Sequence, residues 1–194
     1  MVEDEKRRRI LNAATGLFAH YGYRKTSIAE IAEEAQVGKG TVYLVAKNKE
    51  DLFFQVVSAE VAAWCASVEA SVDPRLSADV LLLNASITAL GYADAHPLVK
   101  ELLLGNHDEV LPLWATELQE LRKEGRAHTI GILKLGIEQG LFRADFDVDK
   151  VALLLQNMMA MGLVLAYRER KSTAEQIASS AVALDVLLKG LLVR

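Results

Sequence analysis

Cysteine is almost missing: Cys65 is the single one in 194 residues. An internal disulfide framework and a multi-cysteine zinc site are therefore excluded, and the usage fits a reducing cytoplasm. Proline occurs three times, at positions 74, 97 and 112. Neither sign of charge prevails, since the net charge is −4, so the chain is not basic throughout. Repeats and low-complexity segments are lacking, and Met1 to Arg9 is charged with no apolar core behind it, so no signal peptide is expected. What remains is apolar: 52% of residues are hydrophobic, too many for a disordered chain. A chain of this size buries about 70% of its unfolded surface and needs no covalent staple.

Charge is unevenly distributed. Residues 1–57 hold nine Lys/Arg against eight Asp/Glu, whereas the remainder holds 13 against 18. A slightly basic segment on an acidic body can meet an anionic partner with one end only.

Helical spacing runs through the whole sequence. Ile10, Ala14, Leu17, Phe18 and Tyr21 share one helical face, and Tyr21-Gly22-Tyr23 interrupts it. Ser27 with Glu30 forms a capping box before the short apolar face of Ile28, Ile31, Ala32 and Ala35. Asn48 with Asp51 signals a fourth helix, which should stop near Asp73-Pro74. Further helices are expected over 76–93, 98–105, 110–139, 148–168 and 174–192. Pro97 suits a first turn, Gly140 a stop, and Ser172 with Glu175 a second capping box. Alternating strand patterns are missing, so the fold class is all-α. Val151 to Tyr167 contains 17 uncharged residues, the lower limit of a membrane span. Gln156 and Asn157 lie in its middle, which favours a helix buried between others or across a subunit contact.

Two short helices joined by a tight turn describe a helix-turn-helix. The first is expected at 27–34, the turn at Ala35-Gln36-Val37, and the second at Gly38 to Tyr43. Val37 and Val42 should face inward, leaving Lys39, Gly40, Thr41 and Tyr43 outward. Glycines at 38 and 40 cost about 1 kcal/mol each in a helix interior, which close approach to a DNA groove would justify. Thr41 can meet base edges or a thymine methyl, and Lys39 guanine or phosphate. Tyr43, Thr26 and Lys49 suit phosphate oxygens, with Ser27 beside them. Arg7-Arg8-Arg9 reads equally as a DNA arm or as a solvated face paired with Glu3, Asp4 and Glu5.

Residues 7–57 resemble the DNA-binding domain of TetR-type transcriptional regulators. The matching residues are Arg9-Ile10-Leu11, Ala14, Leu17-Phe18, Gly22-Tyr23, Thr26-Ser27, Ile31-Ala32, Ala35, Val37, Gly40-Thr41-Val42-Tyr43 and Lys49-Glu50-Asp51-Leu52. The resemblance implies a helical homodimer whose larger domain binds a ligand and controls DNA affinity. Gly136 to Phe142 also looks like the family's usual approach to its last two helices. The pattern is broken in three places. Gln36 replaces the usual turn glycine, where a left-handed conformation costs about 1–2 kcal/mol. Gly38 replaces the usual serine, and remains an acceptable cap. Val45-Ala46 replaces an aromatic pair, so one phosphate contact fewer and weaker operator affinity are expected.

Other chemistries find little support. Gly38-Lys39-Gly40-Thr41 lacks the remaining glycine and preceding strand of a phosphate loop. His20, His96, His107 and His128 are scattered without ligand spacing, and Asp145, Asp147 and Asp149 lack the calcium-loop glycine and glutamate. Neither a nucleophile elbow nor a dinucleotide fingerprint occurs. No metal, cofactor or catalytic residue is expected, and the chain is read as a regulator rather than an enzyme.

The expected organisation is a helix-turn-helix DNA-binding domain at 1–47 and an all-helical ligand-binding and dimerisation domain at 48–194. Trp64, Asn84, Tyr92, Trp114, Met158 and Met159 combine adaptable surface with polar handles and are the ligand-pocket candidates. Leu153, Ala160, Val164, Leu184 and Leu187 are the candidates for an isologous contact of four helices. The expected function is a cytoplasmic repressor, with a double-stranded DNA operator and a small-molecule effector as partners and no membrane. An activator of the same fold and a helical protein-interaction module are the alternatives.

Overall fold

The computed structural model describes residues 2–104, 115–169 and 172–192. Helices account for almost all of them: α1 (Val2–Lys25), α2 (Ile28–Glu34), α3 (Lys39–Val45), α4 (Lys49–Ala70), α5 (Ala78–Ala95), α6 (Pro97–Leu103), α7 (Ala115–Glu138), α8 (Val148–Arg168) and α9 (Thr173–Leu191). Among the described residues strands are lacking, and one isolated antiparallel bridge joins Phe142 to Leu192.

Local chemistry explains the helix limits. The Ser27 hydroxyl accepts from the Glu30 N–H, and the Glu30 carboxylate accepts from the Ser27 N–H at 2.8 Å. Asn48 Oδ1 accepts from the Asp51 N–H at 2.7 Å and starts α4. Asp147 caps α8, and Ser172 with Glu175 repeats the reciprocal box before α9. Pro97 lies in the first turn of α6. At the end of α7, Gly140 (φ 68°) takes the left-handed conformation, and the Leu141 N–H reaches back to the Gly136 carbonyl at 2.9 Å.

The chain divides into two compact units. One comprises Met1–Ala62 and His96–Leu118, the other Ala63–Ala95 and Gln119–Arg194. The core of the first is built from Ile10, Ala14 and Phe18 of α1, Ile31 and Ala32 of α2, Val42 of α3, and Leu52, Phe53 and Val56 of α4, with Leu98 of α6. Phe18 and Phe53 meet edge to face, their ring centroids 4.9 Å apart. The core of the second contains Ala78, Leu81 and Leu82 of α5, Ile132 and Leu133 of α7, Phe142, and Ala152 and Leu155 of α8.

Among the described residues one helix, Lys49–Ala70, is long and apolar enough to cross a membrane by composition. Its first half supplies Leu52, Phe53, Val56 and Val57 to the core, which accounts for that composition.

Candidate nucleic-acid interface

The first unit presents α3 through three successive local structures. α1 is interrupted at Gly22, whose φ of 79° and ψ of 166° lie in a region open essentially to glycine. The chain turns there, and Thr26 fixes the corner: its hydroxyl donates to the Gly22 carbonyl at 2.9 Å and to the Leu17 carbonyl at 3.2 Å. From α4, Lys49 Nζ donates to the carbonyls of Tyr23 and Thr26, both at 3.0 Å, and lies over the Tyr23 ring.

α2 follows at once behind its capping box, where the Ser27 hydroxyl and N–H hold the Glu30 carboxyl below the usual carboxylate range. It ends in a Schellman turn. The Gln36 N–H donates to the Glu33 carbonyl and the Val37 N–H to the Ala32 carbonyl, both at 2.9 Å. Gln36 occupies the left-handed position with φ 54°, among the described residues the one non-glycine residue with positive φ. The expected departure from glycine is thus real, and the turn forms nonetheless.

α3 begins behind Gly38, which is extended and offers no side-chain cap. Val42 is fully buried and Val37 packs partly against the same core, so the inward pair is as expected. Lys39 and Gly40 are exposed, Thr41 is half-buried, and Tyr43 keeps 55% of its surface in solvent. Leu44 was not anticipated; at 81% it is more exposed still. Its sequence signal is its position two residues after the buried Val42. α3 carries no carboxylate, and the exposed Lys47 follows it. Glu30, Glu33 and Glu34 of α2 instead line an open groove with Leu17, Tyr21 and Gln36. An anion is repelled there and tolerated at α3.

One expectation needs correction. Thr26 is only 2% exposed, and its hydroxyl proton already serves carbonyls, so it cannot donate to phosphate. The Ser27 hydroxyl likewise donates to Glu30 at 2.7 Å, which makes it a cap first. Lys49 has two of its three N–H donors on carbonyls. Of the arginine run, Arg8 pairs with Glu5 as on a solvated face, whereas Arg7 donates to Gln55 of α4.

In the second unit, two of the ligand-site candidates meet α5. Trp64 Nε1 donates to the Ala89 carbonyl at 3.1 Å, and the buried Ser86, one turn earlier, lies 3.6 Å from the Met159 sulfur. Asn84 and Tyr92 are half-buried, Met158 is exposed, and Trp114 lies outside the described residues. Ser86 escaped the sequence reading, although a lone hydroxyl in an apolar helix was its signal. On α8, Leu154, Met158, Met161 and Leu165 form an exposed apolar stripe at helical spacing, and Leu153 and Ala160 are exposed beside it. Val164 is half-buried; the side chains of Leu184 and Leu187 lie outside the described set. Val182 and Val186 of α9 are exposed. Among the described residues no group of His, Cys, Asp and Glu is arranged to hold a metal.

Comparison with known proteins agrees with this geometry. Residues 10–56 match the sequence pattern of the bacterial regulatory proteins, tetR family. The transcriptional repressor KstR2 of Rhodococcus jostii is 28% identical over 152 residues, 74% of this chain and 71% of that protein. The fatty acid metabolism regulator protein of Bacillus subtilis is 26% identical over 142 residues, 72% of each. The crystal structure of Bacillus subtilis FadR in complex with stearoyl-CoA has the same fold, with a TM-score of 0.81 at 23% identity over 95% of this chain and 98% of that one. The capped α2, the tight turn and the outward face of α3 all lie within residues 10–56, the segment that carries the pattern of the tetR-family regulatory proteins.

Proposed function

We propose that the chain is a homodimeric, ligand-released repressor that binds a palindromic operator. The observation that carries this reading is the outward face of α3, where Lys39, Gly40, Tyr43 and Leu44 stand in solvent opposite a fully buried Val42. Lys39 and Thr41 suit base edges or phosphate, and Tyr43 suits phosphate. The third donor of Lys49 and the rim at Ser27 extend the backbone contacts. Two copies of α3 about 34–36 Å apart would enter successive major grooves.

The proposed division of labour assigns DNA binding to residues 1–47 and ligand binding with dimerisation to 48–194. The exposed stripe on α8 supports an isologous contact that includes Leu153, Ala160, Val164, Leu184 and Leu187, and the exposed Val182 and Val186 extend it onto α9. Trp64, Asn84, Tyr92, Trp114, Met158 and Met159 are the proposed ligand surface. A fatty acyl-CoA is the first effector to try, because the FadR structure was solved with stearoyl-CoA. The effector favours a dimer whose two α3 helices no longer match the half-site spacing, so ligand and DNA weaken each other by the same factor. The place of action is the cytoplasm, and no catalytic step belongs to this reading.

Selection of DNA fragments by the purified chain tests the reading. Enrichment of one palindrome, bound by two chains and released by an effector, supports it. Failure to enrich any sequence contradicts it.

A further inference from the structure

We infer that Leu44 reads a thymine methyl group and that Gly40 clears the space for it. This rests on α3 being the helix that enters the DNA groove. Leu44 lies two residues beyond Val42, about 200° around the helix. Val42 is 0% exposed and Leu44 81%, so Leu44 points most directly away from the core. A leucine in a helix leans back over the residue four positions earlier. That residue is Gly40, and a Cβ built there would meet nothing within 4 Å. The protein interior gives no reason for a glycine at this position. The pair instead makes a shallow apolar step with bare backbone beside it.

The surroundings name the occupant. Lys39, Tyr43 and Lys47 are exposed near the step, and α3 carries no carboxylate. An aliphatic side chain set among cations and a hydroxyl matches an apolar group embedded in a polyanion. In the major groove that group is the C5 methyl of thymine.

The experiment uses DNA selected by the full-length chain. Each thymine of a half-site is replaced in turn by deoxyuridine, which removes the methyl alone, and affinities are measured by fluorescence anisotropy for wild type and Leu44→Ala. One thymine per half-site should lose about four-fold in wild-type affinity, the equivalent of one buried methyl. Leu44→Ala should be indifferent to the same replacement and keep the wild-type Tm. Gly40→Ala, which retains the leucine and fills the space beside it, should also blunt the discrimination. If the thymine-to-deoxyuridine ratio is the same for wild type and Leu44→Ala at every position, the role of Leu44 is overturned while DNA binding by α3 stands. If wild type selects no DNA at all, both fail.

Discussion

Lys49 clasps Tyr23 twice over: its Nζ is 3.0 Å from the Tyr23 carbonyl oxygen and 4.3 Å from the centroid of the Tyr23 ring. The carboxylate of the next residue, Glu50, adds to burial in holding the Tyr23 hydroxyl in its protonated form. The first turn of α4 thus holds the corner from which α2 and α3 depart. Lys49→Met should lower stability by about 1–2 kcal/mol through the lost charged hydrogen bonds and ring contact. Thermal unfolding measures this. An unchanged Tm with a salt slope reduced by about 1 would instead make Lys49 purely a phosphate contact.

Gln36 is held left-handed in the Schellman turn between α2 and α3. Gln36→Gly relieves the Cβ strain but loosens the unfolded chain, so the net gain should be about 0.5–1 kcal/mol. Differential scanning calorimetry should show Tm raised by about 2–4 °C for each kcal/mol gained. A fall in Tm would mean that Gln36 makes stabilising contacts that outweigh the strain.

Gly40 has helical backbone and open space where a side chain would stand. Gly40→Ala should therefore stabilise the protein by about 0.5–1 kcal/mol while weakening operator binding. Paired Tm and anisotropy measurements check both signs. Stabilisation with unchanged affinity would remove Gly40 from the interface.

Alkaline pH should destabilise the fold through two phenols. Tyr23 is pushed up to about 12, first by burial and then by the neighbouring Glu50 carboxylate; Tyr167 is pushed up to about 12 by burial and the charge of Asp94. Both favour the protonated form in the folded state, so their contribution is complete below the unfolded value near 10 and disappears as pH rises from 10 to 12. Tyr23→Phe should show a shallower fall of Tm across that window than wild type. Parallel curves would deny Tyr23 its share.

Much of this fold is legible in the sequence, for local reasons. Ser27 with Glu30, Asn48 with Asp51 and Ser172 with Glu175 are start signals whose partners are three residues away, so the sequence contains the whole interaction. Gln36 stood where glycine is usual, and the left-handed backbone followed. The inward Val42 and outward Tyr43 followed from helical spacing. The Thr26 corner is not legible in the sequence because its partners are distant, the hydroxyl turning back to Leu17 and Gly22, and the two carbonyls that Lys49 holds are just as remote. A polar side chain beside a helix-turn-helix looks the same in sequence whether it faces phosphate or its own backbone. Ser86 and Leu44 were missed for the opposite reason, as single residues whose type conflicts with their surroundings.

The central claim is that the outward face of α3 meets a DNA duplex. Fluorescence anisotropy of the full chain on its selected operator, repeated over a salt series, tests it most directly. Binding should be tight at low ionic strength, with log K falling linearly with log salt at a slope of about −0.9 per phosphate contacted. Lys39→Ala and Tyr43→Phe should each weaken that binding while leaving Tm unchanged. A flat titration at low salt, or binding indifferent to both substitutions, would contradict it.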